Sequence, residues 1–364
     1  MLRRLLALTP LLALAAATPA QAAHSFVLTR SGSKPAVAVD GGGTGHFVWD
    51  QRGPNGASVT HYCRVVRTGR GCAAGTERTF QPTQVSDPAN DVDFPGPRVF
   101  IAPDGRVIVL TYRCCAIDGP NFHSSVLFRY VSADGGQNFD GGAIIGITEM
   151  EDAALGPGDA VTTIGTGANY TGAQAAPLAS YNETEAQLQP GVLGVDKAVA
   201  VVGNQTIAAI GDGKTFHVGV ANGDPSQTAS WAFGPAGHGD DLALAGGPKG
   251  TFLLVGSGRR YVLRRIDTTR ARLGRTLALT PRTFPIFGTA SADPSGRIHA
   301  AWVQGRALRY RRTNKSASRM ERTHVLARGS SYFNLVIGAG ASGRGWVAWD
   351  ANGPNKTVRA IVAP

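Results

Sequence analysis

Three short stretches decide how this chain reads: Gly43-Thr-Gly-His-Phe-Val-Trp49, Gly296-Arg-Ile-His-Ala-Ala-Trp302 and Gly343-Arg-Gly-Trp-Val-Ala-Trp349. Each opens on glycine, runs through apolar residues and closes on tryptophan. Gly105-Arg-Val-Ile-Val-Leu-Thr111 and Gly250-Thr-Phe-Leu-Leu-Val-Gly256 are looser copies, and fainter ones begin near Gly158 and Gly203. Successive starts lie 62, 53, 45, 47, 46 and 47 residues apart. Self-similarity at such a period marks a repeat architecture, in which each unit buries its apolar face against its neighbours.

The physical form of the unit points to strands. Ahead of each glycine comes an apolar strand and a turn, as in Asp104-Gly105 and Asp293-Pro294-Ser295-Gly296. Glycine supplies the positive φ that such reversals require. A third strand alternates, as in Ser125-Val-Leu-Phe-Arg-Tyr-Val131, with one face buried and one wet. Apolar inner strands followed by alternating outer ones suit a radial stack of four-stranded sheets; a solenoid has less room for four strands in each unit. The fold expected is all-β, a seven-bladed β-propeller, with six blades as the alternative count.

The chain ends sharpen this expectation. Trp49-Asp50-Gln-Arg-Gly53-Pro54-Asn55 and Trp349-Asp350-Ala-Asn-Gly353-Pro354-Asn355 share five identities at an offset of 300. After Asn355 only nine residues remain, room for one strand. The last blade therefore lacks its outer strand, and Ser25-Phe-Val-Leu-Thr-Arg30 is expected to fill that edge and close the ring.

Length and composition set the frame. Of 364 residues, 48 are glycine and 21 proline, a balance that favours short strands and tight turns. Arg3 and Arg4, an apolar run from Leu5 to Ala17 and Ala20-Gln21-Ala22 read as a secretory signal peptide over 1–22, too short to span a bilayer. Residues 23–364 are then one propeller domain of a secreted, bacterial-type protein. In an oxidising compartment the four cysteines pair by default. Local pairing, Cys63 with Cys72 and Cys114 with Cys115, is preferred among the three possible connectivities.

Charge is uneven. The net charge of +11 conceals 13 basic and 20 acidic residues over 24–240, against 21 basic and 5 acidic over 241–364. A basic side could attract an anionic cell-surface polymer. No nucleic-acid motif appears, and no later apolar run is long enough to insert into a membrane.

Ser132-Ala-Asp134-Gly-Gly136-Gln-Asn-Phe139 resembles the Asp-box, S-x-D-x-G-x-x-W/F, of the sialidase-like (BNR-repeat) β-propeller superfamily. Pro97-Arg98-Val-Phe-Ile-Ala-Pro-Asp104-Gly105 resembles the first strand and turn of a blade carrying that box. The resemblance implies a structural role for Ser132, Asp134, Gly136 and Phe139. It also implies sialic-acid hydrolysis by an arginine triad, a tyrosine–glutamate nucleophile and an aspartate acid/base. The chain departs from that set: the Arg-Ile-Pro opening is replaced by Pro97-Arg98-Val99, and its six glutamates fit no tyrosine–glutamate motif.

Topology ranks the remaining candidates. The resemblance implies that the box marks one face of the ring and that ligands bind at the other. Trp49, Asp50, Asn55, Arg98, Arg113, Trp349, Asp350 and Asn355 are placed on that ligand face. Indole rings, amides and carboxylates suit sugars, although Trp is equally suited to the core and Asp to a loop cap. His46 and His299 fall on inner repeat positions, where buried hydrogen-bonded roles are expected. Asp87, Asn90, Asp91 and Asp93 offer oxygens of the kind that hold Ca²⁺, without the glycine and terminal glutamate of an EF-hand; a solvated linker is the simpler reading, and no cofactor is expected. The leading function is non-catalytic binding of an extracellular carbohydrate or other cell-surface ligand by a monomer. The alternatives are a divergent exo-glycosidase or lyase and a structural interaction module.

Overall fold

The computed structural model describes residues 25–53, 58–81, 96–113, 126–147, 149–166, 173–178, 186–187, 196–257, 259–280, 285–329, 331–351 and 357–364. They form a β-propeller. Among the described residues, strand pairing gives seven antiparallel sheets. Six are built from consecutive strands. Blade 1 comprises Gly32–Val39, Gly45–Arg52, Ser58–Val65 and Arg78–Phe80; blade 2 comprises Arg98–Ile101, Val107–Arg113, Val126–Ser132 and Ala143–Ile147. Blade 3 runs through Glu149–Leu155, Val161–Thr166, Ala173–Leu178 and Ala186–Gln187, and blade 4 through Asp196–Val202, Gln205–Gly211, Thr215–Asn222 and Trp231–Phe233. Asp240–Gly247, Gly250–Ser257, Arg260–Asp267 and Arg272–Ala278 make blade 5; Pro285–Ala292, Ile298–Gln304, Ala307–Arg312 and His324–Arg328 make blade 6.

Blade 7 is shared between the two ends of the chain. Phe333–Ala339, Gly345–Ala351 and Thr357–Ala363 supply its three inner strands, and Phe26–Thr29 pairs with Thr357–Ala363 as the fourth. This is the closure expected from the shortage of residues after Asn355. Phe26 packs edge-on against Trp346, with ring centroids 6.0 Å apart. The inner and outer edges of the ring's seam are thus held by apolar contact as well as by the ladder.

Each glycine that opens a repeat sits in the turn between the first and second strands of its blade, except Gly250, which is the first residue of the second strand. Gly43, Gly105, Gly158, Gly203, Gly250, Gly296 and Gly343 all have positive φ, between 59° and 113°. The repeat is therefore a turn requirement followed by a buried strand. Second strands are the most buried: Gly345–Ala351 is buried throughout, and Phe47, Val48, Ile108, Val109 and Leu110 are fully enclosed. The apolar clusters bridge neighbouring blades, such as Val48 and Tyr62 of blade 1 with Val99, Val107 and Tyr130 of blade 2. Blade-to-blade burial, not contact within one sheet, holds the ring together.

Two blades carry the same buried polar device at this end of the ring. His46 joins Asp40 (3.3 Å) to the Tyr62 hydroxyl (2.8 Å), and His299 joins Asp293 (3.2 Å) to Tyr310 (2.7 Å). Burial pushes Asp40 and Asp293 upward, but the histidine and backbone hydrogen bonds outweigh it and hold both at about 2. These histidines are structural, as their repeat positions indicate.

The Ser132–Phe139 segment forms the turn between the last two strands of blade 2. Ser132 Oγ donates to Asp134 Oδ1 (2.7 Å), and the Gln137 and Asn138 amides donate to the same oxygen (2.9 Å each). Phe139 wedges edge-on between Tyr62 and Phe80 of blade 1, at 4.9 and 5.0 Å. Cys63 and Cys72 form a disulfide. Cys114, Cys115 and the cluster Asp87, Asn90, Asp91 and Asp93 lie outside the described residues, as does the 1–22 segment.

Candidate functional site at the axial mouth

A channel of about 510 Å³ runs along the axis, lined by the first strand of every blade. Its walls are mostly small and apolar: Ala36 and Ala38, Ala153 and Ala154, Val199 and Ala200, Ala290 and Ala292. Polar groups gather where the first strands begin, on the face opposite the repeat turns. This is the face on which the resemblance leads a ligand to be expected.

The first strands of blades 1, 5, 6 and 7 enter this mouth through bulges. Pairing register slips between Ser33 and Ala36, Asp240 and Ala243, Ile286 and Gly288, and Phe333 and Val336. Within these bulges Lys34, Asp241, Phe287 and Asn334 hold φ of 53°, 50°, 54° and 45°. A side chain in the left-handed region costs on the order of 1 kcal/mol or more, and such residues cluster at functional sites. All four stand nine residues ahead of their repeat glycine.

Carboxylates in the same layer tie each bulge to the next blade. Asp152 accepts from the Val199 amide (2.9 Å), Asp196 from Asp241 (3.3 Å) and Asp241 from Gly288 (2.9 Å). Asp350 accepts from the Lys34 amide (3.2 Å) across the seam and from the Asn334 side-chain amide (2.7 Å). Arg98 bridges blades 2 and 3, with Nε 3.5 Å from Asp152 Oδ1 and Nη2 donating to the Glu151 carbonyl at 2.7 Å. Lys197 of blade 4 reaches back to the Glu151 carboxylate. Burial pushes Asp350 and Asp241 up to about 6, against the hydrogen bonds that favour their ionised forms. Burial also raises Asp152, and Arg98 opposes it.

One pair of large apolar side chains stands partly exposed at the mouth. Phe287 and Phe333 are 41% and 36% exposed, and they face each other with centroids 6.0 Å apart across the junction of blades 6 and 7. Each is a large apolar ring held in water at the mouth, beside Asn334.

The sequence-derived candidates divide among three fates. Arg98, Asp50 and Asp350 do stand at this end of the ring. Asp50 accepts from Thr60 Oγ1 (2.6 Å) and pairs in register with Ser33. Asp350 is fully buried, so it shapes the mouth from behind. Trp49 and Trp349 are core residues, 4% and 2% exposed; Trp49 stacks on His61 at 5.7 Å, and Trp349 meets Tyr332 at 5.8 Å. Arg113 ends the second strand of blade 2, opposite Val126. Asn55 and Asn355 lie outside the described residues. The bulge residues escaped the sequence reading because the repeat was aligned on its glycine and followed only forward. Counting nine residues backward exposes Lys34, Asp241, Phe287 and Asn334.

Known structures share this architecture. No family model matches the chain, and no curated protein matches it in sequence. Among solved structures, the BP39L lectin from Burkholderia pseudomallei aligns over 90% of this chain and 98% of its own, at 14% identity and a TM-score of 0.55. The α-L-arabinofuranosidase Arb93A from Fusarium graminearum aligns over 93% and 97%, at 10% identity and 0.51. The Hadza microbial sialidase Hz136 aligns over 92% of this chain and 65% of its own, at 10% identity and 0.50. These likenesses show the fold, a β-propeller.

Proposed function

We propose that the protein is a secreted, non-catalytic, carbohydrate-binding propeller of one domain, with its sugar site at the axial mouth. The observation that carries this reading is the Phe287–Phe333 pair, exposed on left-handed bulges. Exposed aromatic rings offer apolar faces to the C–H faces of a sugar ring, while the polar rim supplies hydrogen bonds. Asn334, Arg98 and Asp152 provide that rim. A lectin with this fold, of nearly the same chain length, supports the reading.

A glycan-panel screen with titration of any hit tests it. Phe287→Ala and Phe333→Ala should each weaken binding about tenfold, the loss expected from one stacking contact of about 1.4 kcal/mol, without lowering Tm. Unchanged affinity in both variants would remove the site.

The hydrolase alternative rests on Asp241, which burial raises to about 6 and which accepts from the Tyr261 hydroxyl. A carboxyl group titrating there has the range of a general acid. Tyr261 is only 3% exposed, which places it behind the mouth and not within reach of a sugar. Turnover of aryl glycosides abolished by Asp241→Asn or Asp152→Asn would replace the binding reading with the enzymatic one.

A further inference from the structure

The charge imbalance of the sequence acquires a location in the fold. On the face opposite the mouth, blade 5 presents Lys249 and Arg270 in its turns and Arg265 and Arg272 on the strands beside them, all exposed. Blade 6 adds exposed Lys315, Arg319 and Arg322, blade 7 adds Arg344, and blade 1 adds Arg67 and Arg70. These positions are contiguous. Lys249 donates to the Lys315 carbonyl, and its stem lies against Gly296. Arg297 reaches toward Gly343, and Ser342 and Arg67 both flank Gly43. The arc therefore passes from blade 5 through 6 and 7 to blade 1 without a break.

Apart from the exposed Glu77 of blade 1, the carboxylates along this arc are hydrogen-bonded within it. Glu321 is bonded to Arg312 (2.8 Å), Asp293 to Ser295 and His299, Asp267 to Thr269 (2.6 Å), and Asp40 to His46. Across the ring the same face carries Asp104, Asp134, Asp140 and Asp159 in the turns of blades 2 and 3, with Arg106 paired to Asp104 and Asp159. The cationic charge is thus a one-sided arc, not an even coat.

We infer that this arc is a docking surface for a linear polyanionic polysaccharide, independent of the sugar site on the other face. Arginine presents a planar fork that matches carboxylate and phosphate oxygens, and a row of such forks on successive turns suits a chain laid along the ring. Among the described residues, the large apolar side chains exposed on or beside this arc are Val66 of blade 1 and Val325 of blade 6, which stand apart from each other. A lipid surface would need an apolar stripe there to take hold. Bound through the arc, the protein turns its axial mouth away from the polymer.

Polygalacturonate supplies a carboxylate chain and a linear phosphodiester-linked hexose polysaccharide a phosphate chain, and comparing them shows which anion is preferred. The variant Arg265→Gln/Arg270→Gln/Arg319→Gln/Arg344→Gln should bind the preferred chain at least about tenfold more weakly at low salt, because each cation contact with a polyanion releases counterions. Its dependence on salt should also be shallower than that of the natural protein. Arg30→Gln/Arg52→Gln/Arg306→Gln/Arg328→Gln removes the same charge away from the arc and should bind as the natural protein does. The pair Arg270→Gln/Arg319→Gln gives a milder version should the fourfold variant fold poorly. Equal loss in the arc and control variants, no binding of either chain by the natural protein, or tighter binding of phosphatidylglycerol vesicles or duplex DNA than of either polysaccharide would overturn the inference. Sugar binding at the mouth, measured in parallel with Phe287→Ala, reports separately on the other site.

Discussion

Asp350 shows how much one buried group can decide. Its carboxylate closes the seam between the last and first blades by accepting from Lys34 and Asn334, yet its Oδ1 is buried with no hydrogen-bond partner. Burial lifts its pKa from 3.8 to about 6. A carboxyl that binds its proton more tightly when folded stabilises the fold fully below the unfolded value. That contribution is lost as pH rises through about 6. The protein should accordingly lose stability between about pH 4 and 6, with Asp241 contributing in the same direction. Asp350→Asn keeps an acceptor without the charge. It should flatten this part of the Tm–pH profile and raise Tm at neutral pH; an unchanged slope would assign the effect elsewhere. Gly105 makes a second point. A Cβ there meets nothing, but φ is +88°. Gly105→Ala should cost about 1–2 kcal/mol through backbone strain alone, read by urea denaturation. Gly136→Ala should cost more, because its Cβ would collide with the Tyr62 hydroxyl.

The strand that closes the ring is short, four residues from Phe26 to Thr29, yet it covers an edge that would otherwise be open. Deleting residues through Thr29 exposes the Thr357–Ala363 ladder and uncovers the Trp346 face. Lower Tm and concentration-dependent association, followed by light scattering, are the expected results. A monomeric truncation with unchanged Tm would show the strand to be dispensable. The loop between the last two strands of blade 1 is clamped in another way, by the Cys63–Cys72 disulfide across nine residues. Cys63→Ser/Cys72→Ser should lower stability by about 2–3 kcal/mol, the loop-entropy value for a closure of this length. The bulges are elements too. They place Lys34, Asp241, Phe287 and Asn334 at one level around the axis, which regular strands would not do.

Across the whole molecule, polarity is divided between two faces. One end of the axis gathers bulges, inter-blade carboxylates and an exposed aromatic pair; the other gathers glycine turns and a cationic arc. A ring permits this division because every blade runs the same meander, so equivalent positions in the repeat come to lie at equivalent heights. Long-range adjacency follows from the same geometry. Trp346 donates its indole N–H to the Gly43 carbonyl at 3.1 Å, across 303 positions of sequence.

Much of this was legible in the residues before any coordinate. Periodic glycines demanded turns, apolar runs demanded burial, and the Trp-Asp-x-x-Gly-Pro-Asn run repeated 300 positions apart marked two units of one kind. Those are local requirements of backbone conformation and hydropathy, and they suffice to specify strands and blades. The site was not legible in the same way. Trp49 and Trp349 carry the chemistry of sugar binding but turn inward, while Phe287 and Phe333, unremarkable in sequence, turn out. Which side of a strand faces water at the mouth depends on a one-residue bulge, and a slip of one residue reverses every side chain beyond it. That choice is made where seven first strands crowd around one axis, so only the assembled ring decides it.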